Sequence, residues 1–167
     1  MTENKDAPTA EENIGDVPNS PIVIHKQYLK DLSFENPNAP QILRNVSGRP
    51  EMEMDISIDV NRVEDDHFEH FYEVTLNVTA SGRRDDQTMF IVEVSYGGVA
   101  SIEGLDEKHH HPLLFVDVPQ LLFPFVRHIL ANATLSGGFM PLQITPVNFK
   151  AMYLQRFGKK QAKSSEE

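Results

Sequence analysis

Met52, Met54, Ile56, Ile58 and Val60 alternate without a fault with Glu51, Glu53, Asp55, Ser57 and Asp59. Successive side chains of a strand point to opposite faces, so this run commits the chain to a sheet with one wet face and one covered face. Three further segments read the same way. In residues 71–80, Tyr72, Val74, Leu76 and Val78 oppose Glu73, Thr75, Asn77 and Thr79; in 88–95, Phe90, Val92 and Val94 oppose Met89, Ile91, Glu93 and Ser95. In 22–34, Ile22, Ile24, Tyr28, Leu32 and Phe34 are expected on the inner face, with Leu29, Asp31, Ser33 and Glu35 on the outer one. Pro37 and Pro40 end that strand, because each lacks a ladder N–H.

Polar connections over 61–69 and 81–86 make the second, third and fourth strands antiparallel neighbours. The first and second are separated by 36–50, which carries Pro37, Pro40 and Pro50 and is too long for a tight hairpin. That length lets the first strand lie beside the fourth, in the Greek-key order 2-3-4-1. Beyond Gly97-Gly98, read as a strand bend, the pattern turns helical. A helix is expected over 119–136, with Asp117 or Val118 near its cap, Pro119 in the first turn, a kink at Pro124 and a stop at Gly137-Gly138. A second begins at a capping Asn148 and buries Phe149, Met152, Tyr153 and Phe157. Strands first and helices second predict an α+β domain over 21–157: a four-stranded antiparallel sheet followed by two C-terminal helices. The first helix is apolar around so much of its circumference that it is expected to pack on another subunit as well.

At 167 residues, one core suffices. Residues 1–20 are acidic with no periodic apolar face, and 158–167 are polar; both are expected to be flexible tails. Cys is absent, which removes disulfides, thiol catalysis and Cys-ligated zinc. With neither a signal-peptide pattern at the start nor an apolar run of about 18 residues, the chain is expected in the cytoplasm with no direct membrane insertion. The formal charge of −10 opposes nucleic-acid binding and suits a partner with basic groups, although acidic surfaces also serve solubility alone.

Catalytic patterns are missing. His109-His110-His111 after Glu107 would point to alternating sides in extended chain, so it reads as an exposed polar loop rather than a metal site. His67 and His70 are no closer to a ligand pair. Gly97-Gly98 and Gly137-Gly138 lack the Lys-Ser/Thr or third Gly of a phosphate cradle. The chain is expected to be no enzyme and to need no cofactor or metal.

Two surfaces remain. If the first and fourth strands are neighbours, Asp31, Glu35, Ile91 and Glu93 form one acidic patch with an aliphatic centre; by pattern alone it is equally an ordinary solvated sheet face. Ile42, Leu43 and Val46, in the long connection, can wall a groove or simply cover a core edge.

The run from Tyr28 to Pro40 resembles the signature of SecB, the bacterial export chaperone family. So do Phe90-Ile91-Val92-Glu93-Val94 with Gly97-Gly98, Leu122-Phe123-Pro124-Phe125, Pro141-Leu142 and Pro146-Val147-Asn148-Phe149, over residues 22–157. The resemblance implies an ATP-independent chaperone that holds unfolded precursors of exported proteins and delivers them to the SecA motor, as a homotetramer arranged as a dimer of dimers. It implies SecA binding by Asp31, Glu35, Ile91 and Glu93, with Ile91 where the family often has Leu. It also implies that the crossover loop and the helix-linking segment line channels for unfolded clients, with a client-binding groove containing Ile42, Leu43, Val46, Phe90 and Val92. Val46-Ser47-Gly48 departs from the family, which commonly has an aromatic there and one residue fewer. From the residues alone two other readings stay open: a small apolar-ligand-binding α+β domain, which requires a closed cavity within one protomer, and a metal hydrolase, which requires the His109 to His111 loop to meet carboxylates such as Glu107.

Overall fold

The four alternating runs pair into one antiparallel sheet: β1 (Ile22–Glu35), β2 (Glu51–Arg62), β3 (Phe71–Arg84) and β4 (Gln87–Ile102). Their spatial order is β1-β4-β3-β2, which is 2-3-4-1 counted from the other edge. The computed structural model describes residues 20–44, 50–64, 66–67 and 70–161, so the expected N-terminal tail, Val46 and most of the C-terminal tail lie outside the described residues.

The strands run further than their alternation suggested. β3 and β4 continue until only Asp85-Asp86 separates them, and both residues have positive φ, 47° and 59°. That is the primed hairpin turn, whose twist matches the twist of the flanking strands. Nor does β4 end before Gly97-Gly98; it runs on to Ile102. The two glycines are needed because both faces are approached there. A Cβ on Gly98 would lie 2.8 Å from Leu122 Cδ2 on the helix side, and one on Gly97 would lie 2.8 Å from the Tyr28 ring on the outer side.

β1 corrects the parity argument. Its register against β4 shifts between Ile24 and Lys26 and again between Leu29 and Asp31. Each shift adds a residue with no opposite number and reverses the alternation beyond it. Ile22, Ile24, Leu32 and Phe34 therefore share the helix side as expected, opposite Ile102, Ala100, Val94 and Val92. Tyr28 instead sits outside, opposite Gly97, and Leu29 turns to the helix side, opposite Tyr96.

The largest departure is at the first helix. Helical structure begins at Glu107, with a 3-10 turn (Glu107–His109), then α2 (His110–Pro112), a π-helical stretch (Leu113–Asp117) and α3 (Val118–Ser136). The His109 to His111 segment is thus the start of the helix, not a polar loop, and His110 is buried. Asp117 is inside the run with helical angles and makes no side-chain cap. The Val118 N–H reaches back five residues to the Leu113 carbonyl, just before Pro119, which has no N–H to continue the regular ladder. By length and composition, Glu107–Ser136 would reach across a bilayer, contrary to the expected absence of such a run. Val118, Leu122, Val126 and Leu130 are nevertheless wholly buried and four residues apart, so this hydropathy belongs to a core helix lying on the sheet.

Val74, Leu76, Val78, Val92 and Val94 supply the sheet's half of that core. The helix stops as expected at Gly137-Gly138, where Gly138 takes φ 88° and the Phe139 N–H caps the Thr134 carbonyl at 3.1 Å. Thr134 Oγ1 then accepts from the Leu142 N–H at 2.9 Å, pinning the connecting segment. α4 (Phe149–Gln161) begins as read: Asn148 Oδ1 accepts from the Ala151 N–H at 2.9 Å. It extends beyond residue 157, through Gly158. Between β1 and β2, α1 (Gln41–Arg44) adds one helical turn.

Candidate functional site

The outer face of the sheet collects the four expected docking residues. Glu35 is directly opposite Ile91, Glu93 is opposite Ser33, and Asp31 is opposite Ser95. The second register shift falls before Asp31, so the acids keep their parity with one another and stay on one face. All three are exposed, and Ile91 is half-buried between them. Among the described residues none of the three carboxylates belongs to an ion pair. The row through Glu93 continues over Thr79 of β3 to Asp55 of β2, and the row through Ile91 continues over Ser81 to Glu53. The alternation of β2 thus carries the acidic face across the whole sheet.

Beside this patch is a compensated pair. Lys30 Nζ lies 3.0 Å from Glu73 Oε1 and 3.4 Å from Thr75 Oγ1, and the Tyr28 hydroxyl donates to the same Glu73 oxygen. Hydrogen bonds from Tyr28 and Lys30 hold the Glu73 carboxyl below the usual range. The same bond, with burial and the Glu73 charge, pushes the Tyr28 phenol up to about 12.

On the helix side, a cavity of about 400 Å³ opens between α1, the start of β2, β4 and the segment after α3. Ile42, Leu43, Met52, Phe90, Phe139 and Met140 are among its lining residues. The two roles weighed for the connection both occur. Ile42 belongs to the core cluster, whereas Leu43 is 38% exposed and Met140 is 88% exposed. Phe90 is stacked on Phe34 at 6.0 Å and presents one side to the groove. Val92 does not: it is wholly buried in the core, because its inward parity puts it beneath the helix layer. Val46 lies outside the described residues. The helix-linking segment lines the groove as the resemblance implied, here with Phe139 and Met140, which were not singled out by residue; Met52 was not expected there. Met52 was legible as the first inward position of β2, but the approach of the segment after α3 has no sequence period.

A second cavity, about 330 Å³, lies between β2 and α4, against Ile56, Ile58, Phe115, Met152, Phe157 and Arg156. His111 stands beside it, its Nδ1 2.8 Å from the Tyr153 hydroxyl and its ring 4.7 Å from those of Phe115 and Phe157. Burial first, and the Arg156 charge second, hold this imidazole below the ordinary histidine range. No group of three His, Cys, Asp or Glu among the described residues is placed to hold a metal.

The comparisons with known proteins agree with this arrangement. The family model of the preprotein translocase subunit SecB matches residues 16–160. The protein-export protein SecB of Rhodospirillum rubrum is 42% identical over 148 residues, 89% of each chain. That of Bartonella bacilliformis is 45% identical over 78% of this chain and 79% of its own, and that of Mesorhizobium japonicum is 39% identical over 98% and 97%. A SecB-like chaperone of Mycobacterium tuberculosis, solved with a peptide from an antitoxin, shares the fold with a TM-score of 0.62 at 12% identity, over 75% of this chain and 90% of its own. The sheet order, the two-faced sheet and a match spanning the described core lead to one conclusion: this chain belongs to the SecB family of protein-export chaperones.

Proposed function

We propose that the protein holds unfolded precursors of exported proteins in the groove beside Leu43, Met52, Phe90 and Met140, and delivers them to SecA docked on the acidic outer face. The observation that carries this reading is the division of one sheet into two unlike surfaces. One presents exposed carboxylates around Ile91 that enter no ion pair among the described residues; the other opens an apolar groove. Occupation of one surface leaves the other free, as a hand-over requires.

Holding in this manner needs no ATP. Weak apolar contacts repeated along an extended client, and over several subunits, sum to a high avidity without reading one sequence. The exposed side of α3, with Leu121 49% and Phe125 47% exposed, supports assembly through this helix into a homotetramer, a dimer of dimers. The negative net charge keeps such a surface soluble and attracts a basic partner. A cytoplasmic site of action completes the proposal.

The docking half is tested by Asp31→Lys combined with Glu93→Lys. Outward residues of a half-exposed sheet contribute little packing, so the variant assembles and delays folding of a slow-folding precursor as the parent does. It no longer binds SecA, and added salt weakens the parent contact as well. Undiminished binding at low salt refutes the assignment.

A further inference from the structure

Lys30 is the residue inserted at the second register shift of β1, immediately before Asp31. Both line the same outer-face depression, with Thr75, Asn77 and Ser95. A lysine carries its charge on a flexible stem, so an ammonium next to the acidic patch would ordinarily be available to neutralise it. Here it reaches the other way. Its contacts, Glu73 and Thr75, are both on β3, two strands and about 10 Å from the β1 backbone. The Tyr28 hydroxyl fixes the same Glu73 oxygen, and the Tyr28 ring can lie across β4 only because residue 97 is Gly. The Lys30–Glu73 pair is partly shielded, at 37% and 19% side-chain exposure, which favours its persistence over a fully solvated pair.

We infer that Glu73 is a positioning residue for the docking surface: it draws the Lys30 charge across β4 and leaves Asp31, Glu35 and Glu93 uncompensated for a basic partner. This rests on the docking reading above. Glu73 does not touch the partner; it decides how acidic the patch is. The insertion in β1, Gly97 and Tyr28 then form one device with Glu73, which separates a cation from neighbouring acids.

The experiment is a double-mutant cycle read by SecA affinity at low salt, with the parent, Glu73→Gln, Lys30→Met, their combination, and the Asp31→Lys/Glu93→Lys variant. Glu73→Gln weakens binding about two- to fivefold, the scale of an exposed ion pair formed by the released Lys30. Lys30→Met alone changes affinity by less than about twofold, but in the Glu73→Gln background it restores the parent value, a non-additive result. Plain charge counting instead gives Lys30→Met the same gain in both backgrounds, and that outcome, or parent-like binding by Glu73→Gln, overturns the inference. Gln keeps an oxygen for the Tyr28 hydroxyl; should Glu73→Gln fail to fold, Glu73→Asp, which draws the carboxylate back from Lys30 by one methylene without altering any charge, replaces it in the same cycle. Parent-like binding by Asp31→Lys/Glu93→Lys removes the docking reading itself, whereas its loss of binding beside an unaffected Glu73→Gln removes only the role of Glu73.

Discussion

His110 Nδ1 lies 3.1 Å from the Tyr72 hydroxyl, where the helical run meets β3, and its Nε2 lies 2.9 Å from the Leu105 carbonyl. A carbonyl can only accept, so Nε2 donates to Leu105 and Nδ1 accepts from Tyr72. The T-shaped contact with His70, at 4.6 Å between ring centres, closes the other side. Of three consecutive histidines, the middle one is therefore a buried strut between helix and sheet.

His110→Leu keeps the volume approximately but leaves the Tyr72 hydroxyl and the Leu105 carbonyl without this partner. The expected cost is about 1–3 kcal/mol in denaturant unfolding, the range for stranding a buried polar group. Tyr72→Phe in the same background recovers part of that loss, because it removes one stranded hydroxyl. If His110→Leu unfolds at the parent midpoint, the strut has no structural role.

The paired glycines of β4 separate stability from surface chemistry. Gly98→Ala places a methyl 2.8 Å from Leu122, which is wholly buried in α3, so helix and sheet must part; overpacking of this kind costs about 1–3 kcal/mol. Gly97→Ala meets the Tyr28 ring on the outer face, where the ring can swing into solvent. Its signature is spectroscopic: with the Glu73 bond lost, the Tyr28 phenol no longer titrates at about 12 but moves toward 10, as seen in phenolate absorbance. A Tyr28 titration unchanged in Gly97→Ala contradicts the account of that ring.

Much of the architecture was legible because alternation is a local signal. β2 has no register shift against β3, and its inward Met52, Ile56 and Ile58 are where period two puts them. The acids of β1 also stayed together, since no shift falls between Asp31 and Glu35. Tyr28 and Leu29 exchanged faces because an inserted residue is set by pairing with β4, and strand alternation alone does not announce it. The helix start at Glu107 was hidden by a segment rich in His and charge, although His110 is satisfied by Tyr72 and Leu105, distant or irregular partners. Val92 was assigned to the groove by resemblance, against its own parity, which correctly places it in the core.

The fit of α4, whose Tyr153 and Phe157 pack on His111, is expected to respond to pH. The folded pKa of His111 is depressed by burial and Arg156, so on acidification the unfolded or undocked state takes up the proton first. The contribution is complete above the ordinary histidine pKa of about 6.5 and is lost as pH falls below it toward the depressed folded value. The protection factors of the α4 amides, that is, exchange corrected for its intrinsic slowing in acid, should therefore fall on moving from neutral to mildly acidic pH, and His111→Gln should abolish the change in this window. An acid response that persists in His111→Gln assigns the effect to another group.

The groove yields the last prediction, because the two residues of α1 that face it differ in burial. Ile42 is part of the core, so Ile42→Ser removes buried aliphatic surface and is expected to cost about 2–4 kcal/mol of stability, obscuring any effect on clients. Met140, 88% exposed on the groove rim, has little folding energy to lose, and Leu43, 38% exposed, has less to lose than Ile42. Changing both to Ser should lower stability by less than Ile42→Ser does and leave assembly intact, while weakening precursor binding by roughly 0.5–1.5 kcal/mol for each side chain a client covers only in part. Measuring assembly and precursor affinity on one sample separates the outcomes. A stable assembly that still binds precursors with parent affinity removes this rim from the client surface, whereas loss of affinity with intact assembly identifies Leu43 and Met140 as its contact residues.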